Sequence, residues 1–143
     1  MVEDNAVPVA QTFPCGFHDC PSFARYIRPA VQTDEEFLRA EDVFLTSLTE
    51  SKGITDIADL QPVENGIYLW KGDITTLKCG AIVNAANSQM LGCFQPCHGC
   101  IDNAIHTFAG VQLRLKCAEI IRNQGYEEPT GQAKITPAYN QCH

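Results

Sequence analysis

The chain has 143 residues, 45% of them apolar, with a net charge of −7 and a pI near 4.9, which is the size and make-up of one soluble globular domain. The acidic balance, without a run of Lys or Arg, argues against a nucleic-acid polymer as partner, since a basic patch is the usual footprint of such binding. No apolar run approaches membrane-spanning length, and residues 1–10 lack the basic start and apolar core of a signal peptide, so no membrane partner and a cytoplasmic location are expected.

Residues 1–24 carry no steady periodicity, and Pro8, Pro14, Gly16 and Pro21 break any helix. Cys15, His18 and Cys20 have metal-ligand chemistry but do not make a closed site, and the stretch reads as a flexible tail. Thr33-Asp34-Glu35-Glu36 has the form of a capping box, with Thr33 as N-cap and Glu36 reaching back to it. It predicts a helix over 34–49 that packs through Phe37, Ala40, Phe44 and Leu48, with Arg39, Glu41 and Asp42 on the polar side. Residues 50–65 read as loop with a short helical turn. Gly66-Ile67-Tyr68-Leu69-Trp70-Lys71 reads as a strand, ended by Gly72-Asp73, where Asp73 can cap a turn.

Residues 79–110 are the organising stretch. Ala81-Ile82-Val83 has the pattern of a strand buried on both faces. Residues 84–100 form a loop rich in amides, glycine, Cys and His, and Ile101, Ala104, Ile105, Phe108 and Ala109 then make one helical stripe. Leu113, Cys117, Ile120 and Ile121 continue a helical face to about Gln124, with Gly125 as its stop. Ala133 to Thr136 predicts a further strand. The order of elements points to an α/β fold, whose ligands sit beyond the carboxyl ends of the strands, where residues 84–100 lie.

Three separated motifs resemble the opening half of a macrodomain. They are Trp70-Lys71-Gly72-Asp73-Ile74-Thr75, Ile82-Val83-Asn84-Ala85-Ala86-Asn87-Ser88 and Thr130-Gly131-Gln132-Ala133-Lys134-Ile135-Thr136. The segment from Leu91-Gly92-Cys93 through Cys97-His98-Gly99-Cys100 to His106 resembles the zinc-containing subgroup of that family, as do Arg28-Pro29 and residues 36–42. The resemblance implies a three-layer α/β/α fold with a mixed sheet, of which this chain holds the N-terminal half, preceded by a helical segment. The division expected is a tail over 1–24, a helical segment over 25–65 and macrodomain sequence over 66–143. After Tyr139-Asn140 the family pattern continues into further strands, whereas here Gln141-Cys142-His143 comes instead, so a C-terminally truncated member is expected.

The spacing Cys93-x4-His98-x-Cys100 suits one metal, and two thiolates with an imidazole select Zn2+. Three protein ligands leave a fourth position for water or substrate, whereas ligation by Cys97 would close the site and make it structural. Asn84 and Asn87 read on their own as loop-capping residues; the resemblance makes them the residues that hold the distal ribose beside the metal, and catalytic. It likewise makes Asp73 the acceptor for the adenine amino group, with the Ile74 backbone beside it. Asp102 is either a helix cap or a partner of the metal site, and His106 reads as structural. The function implied is zinc-dependent hydrolysis of ADP-ribosyl groups from modified protein side chains, with a non-catalytic ADP-ribose-binding module or an inactive truncated fragment as alternatives.

Overall fold

A computed structural model describes residues 29–95 and 98–141. The tail with Cys15, His18 and Cys20, and also Arg28, Cys97 and Cys142-His143, lie outside the described residues. Helix α1 runs Glu35–Lys52. Its N-cap is Asp34, not Thr33: the Asp34 carboxylate accepts from the Phe37 amide at 2.7 Å. A carboxylate at that position also complements the positive end of the helix dipole, which a hydroxyl does not.

The helix turns a different face inward from the one its apolar residues predict. Leu45 and Thr49 are fully buried, while Phe37 and Phe44 stay 38% and 51% exposed. The cause is polar and remote. Buried Glu41 accepts the Val111 amide at 2.9 Å, and Asp42 accepts from Asn140 at 2.8 Å and from Gln112 at 3.2 Å. Glu41 is therefore inside and Asp42 half-buried at the same contact, rather than on the solvent side. At the other end Lys52 pairs with Asp73 at 2.9 Å and lies 3.5 Å from the Phe108 ring centre, tying the last turn of α1 to both residues.

Among the described residues four short strands form two ladders. β1 (Thr55–Asp56) runs parallel to β4 (Leu77–Lys78), and β2 (Pro62–Glu64) pairs antiparallel with β3 (Ile67–Tyr68) across an Asn65-Gly66 turn. The strand expected over 66–71 is thus realised in two residues. The segments 81–83 and 133–136 make no ladder, and Val83 and Ile135 are 89% and 94% exposed, so neither strand forms as expected. Their β-branched sequences fit a strand, but a strand exists only where a neighbour supplies its hydrogen bonds.

Helices α2 (Ile101–Ala109) and α3 (Val111–Gln124) fall where the periodicity puts them. Gly125, left-handed at φ 81°, ends α3 with its amide on the Ile121 carbonyl. The core is Ile105, Ala109, Leu113 and Cys117 at the α2–α3 contact, with Ile74, Ile82, Met90, Ile101 and Tyr139 packed against it. Among the described residues no helix is long and apolar enough to cross a membrane.

Candidate active site and metal centre

The loop between residues 84 and 100 hangs from this core at the N-terminus of α2. Cys100 is the N-cap of α2, and its carbonyl accepts the Ala104 amide. The His98 carbonyl accepts the Cys100 amide at 2.9 Å and the Asn103 side chain at 2.7 Å, which curls the chain so that His98 and Cys100 face one point. Cys93 completes the group. Its Sγ lies 3.4 Å from His98 Nδ1, and the ligand atoms of Cys93, His98 and Cys100 all lie within 4.8 Å of one another. A tetrahedral zinc with ordinary bond lengths separates its ligand atoms by roughly 3.5–3.8 Å. The donor set and spacing therefore fit one zinc. Burial, together with the neighbouring Cys93, pushes the Cys100 thiol up against the help of the Asn103 amide, so holding the thiolate calls for a compensating cation.

Beneath the metal loop lies a buried polar network. The Asn84 amide donates to Asp102 Oδ1 at 2.8 Å, and His106 Nε2 faces the same oxygen at 3.6 Å. Asp102 and His106 are each 5% exposed. Burial raises the Asp102 carboxyl, against the Asn84 hydrogen bond and the charge of Arg114. Burial, with Arg114 second, lowers His106 to about 4, so the imidazole is neutral near pH 7. Gly92, at φ 81°, crosses directly over the His106 ring: a Cβ there would sit 2.8 Å from its Cγ. Asp102 is thus a partner of Asn84 and not a helix cap, and His106 stands under the metal loop.

Asn87 donates to the Gly92 carbonyl at 3.1 Å, so it ties the first part of the loop to the metal-ligating part. Both asparagines line a cavity of about 820 Å³ bounded by residues 80–84, 128–138 and the inner faces of α2 and α3. Asp73 and Ile74 are not among its lining residues. Asp73 caps the 3₁₀ turn Ile74–Thr76, with Oδ1 accepting from the Thr75 amide and hydroxyl at 3.0 and 2.7 Å and Oδ2 from Lys52. Burial opposes its ionisation, yet Thr75 and Lys52 more than offset this and hold the carboxyl below the usual range. Ile74 packs against the core.

Two residues at the opposite wall were passed over by sequence reasoning, and of these Glu128 lines the cavity while Glu127 is exposed beside it. Glu127 accepts from the Ser88 hydroxyl at 2.7 Å and from Gln89 at 3.3 Å, and the Glu128 amide donates to the Ser88 carbonyl at 2.8 Å. The Glu128 carboxylate is itself buried, held by Gln124 and Lys134. Two adjacent acids before a Pro read as a solvated turn, so nothing local announces the role. His106 had a faint signal, since it stands at i+4 from Asp102.

A family model described as Macro domain matches residues 83–142. A "Protein-ADP-ribose hydrolase" of Treponema medium is 63% identical over 118 residues, covering 80% of this chain and 45% of that protein. The protein of the same name from Staphylococcus aureus is 56% identical over 115 residues, covering 80% and 43%. A "Probable bifunctional ADP-ribose hydrolase/ADP-ribosyltransferase" of Fusarium oxysporum is 44% identical over 115 residues, covering 73% and 19%. The chain thus spans less than half the length of the curated relatives it matches. With these matches the α/β class stands, and the fold is macrodomain-like.

Proposed function

From a chain whose residues 83–142 match a macrodomain, we propose hydrolysis of ADP-ribosyl groups from modified protein side chains, dependent on a zinc held by Cys93, His98 and Cys100. The observation that carries this reading is that the ligand triad and the two asparagines belong to one loop, whose asparagines line a cavity large enough for a nucleotide-sized ligand. The names of the relatives supply the substrate class.

When bound, the metal would supply Lewis-acid polarisation of a substrate oxygen. The chain's own residues do the rest. Asn84 is fixed by its bond to Asp102, which leaves its carbonyl oxygen free of a partner and aims the amide for ribose recognition. Asn87 holds the ribose end of the loop at a set distance from the ligand triad through the Gly92 carbonyl. Neutral His106 supports Gly92 from below without adding a positive charge near the metal. Asp73 and Ile74 are proposed as the adenine contacts; Asp73 would have to share its Lys52-paired oxygen with the adenine amino group.

The test is release of ADP-ribose from a modified protein by the purified chain, with and without a zinc chelator. Turnover lost on chelation and restored by zinc supports the reading. Metal content should fall in Cys93→Ser and Cys100→Ser and persist in Cys97→Ser; the reverse pattern sinks the ligand assignment. ADP-ribose binding without turnover in any metal state would make the chain a binding module instead.

A further inference from the structure

The cavity wall has a consistent and unexplained chemistry. Among the described residues, four buried side-chain atoms on it have no hydrogen-bond partner: Asn84 Oδ1, His106 Nδ1, Glu128 Oε1 and Gln141 Oε1. In Asn84, Gln141 and Glu128 the other polar atom is engaged. The Asn84 nitrogen serves Asp102 at 2.8 Å, and the Gln141 nitrogen serves the Ile105 carbonyl at 3.4 Å. Glu128 Oε2 takes Gln124 at 3.0 Å and Lys134 at 3.3 Å. His106 faces Asp102 Oδ1 with Nε2 at 3.6 Å, and a proton on that nitrogen leaves Nδ1 an acceptor. In Asn84, Gln141 and Glu128 one half is thus anchored, and the half left over is an acceptor.

Leaving buried acceptors unmatched is costly, and polar networks of this kind are completed by what enters them. The occupant must bring donors. A diphosphate offers only acceptors and would face like with like. A cation is poorly matched too, because the only carboxylate of the four already has Lys134 beside it. Neutral hydroxyls fit. We propose that Glu128 and Gln141 are ligand-contacting residues and that the cavity they line takes a ribose through its hydroxyls. This rests on the macrodomain reading of the site and adds the opposite wall to the loop of Asn84 and Asn87. The anchored halves leave each acceptor free to turn by a small rotation toward a sugar seated in the cavity.

The experiment uses the full chain loaded with zinc. Calorimetry measures ADP-ribose binding to the wild type and to Glu128→Gln, in which Gln124 and Lys134 keep the amide oxygen and turn the NH2 group to the cavity. Affinity should fall by about tenfold or more, the range of one charge-assisted hydrogen bond. In parallel, the Glu128 carboxyl carbon resonance is assigned in the wild type by through-bond correlation and followed as D-ribose or inorganic pyrophosphate is added. It should move with ribose and stay put with pyrophosphate. This second arm decides the matter even where the variant fails to fold. Wild-type binding of ADP-ribose with an unmoved Glu128 resonance overturns the proposal and leaves the functional reading intact. A response to pyrophosphate alone overturns the assignment of ribose. Absence of any wild-type binding overturns the functional reading, and the proposal with it.

Discussion

Gly92→Ala is the sharpest perturbation of the metal loop. Gly92 sits at φ 81°, and an added Cβ would lie 2.8 Å from His106 Cγ and 2.9 Å from Cδ2. A left-handed L-residue costs about 1–2 kcal/mol. The contact costs more, because Cγ is the root of the ring and the ring, 5% exposed, has no room to swing. Overpacking of this sort costs typically about 1–3 kcal/mol. The sum is about 2–5 kcal/mol, borne by the segment that carries Cys93. Gly125→Ala provides the reference, since Gly125 has the same φ of 81° with nothing within 4 Å of its added Cβ. Urea unfolding of the two variants should therefore differ by about 1–3 kcal/mol. Zinc competition against a chelator should weaken in Gly92→Ala and hold in Gly125→Ala. Equal losses in both assays would refute the claim that His106 props the metal loop.

Buried charge gives two more expected outcomes. Glu41→Ala removes the acceptor for the Val111 amide, 70 residues away, and leaves the first turn of α3 uncapped; stability should fall by about 1–3 kcal/mol, and a urea midpoint within error of wild type would show that Glu41 does not hold α3. Acid should also destabilise the chain through His106. Its pKa is about 4 folded against 6.5 unfolded, so the unfolded chain gains a proton that the native state refuses. Stability is then lost as pH falls from about 6.5 towards 4, by up to about 3 kcal/mol. Asp102 acts in the opposite sense, because its raised folded pKa lets the native state take a proton before the unfolded carboxyl does. Unfolding free energies between pH 4 and 7 should lose much of this slope in His106→Gln; an unchanged slope would place the proton uptake elsewhere.

The sequence by itself determined what depends on neighbours within a few residues. Helices α2 and α3 appear where the 3.6-residue stripe and Gly125 put them, because each helical hydrogen bond closes over four residues. The triad of Cys93, His98 and Cys100 assembles for a like reason, its three ligands lying within eight residues of one another. Only the tertiary structure decided which face of α1 turns inward, since Glu41 and Asp42 answer to Val111, Gln112 and Asn140. It alone decided that residues 81–83 and 133–136 form no ladder, although their composition is that of strands, because a strand's bonds belong to a neighbour that its own sequence does not specify. The same holds for the far wall of the cavity. Glu128 is an acid in a turn until Ser88, Gln124 and Lys134 close around it, and burial by remote partners is what turns it into a candidate ligand contact.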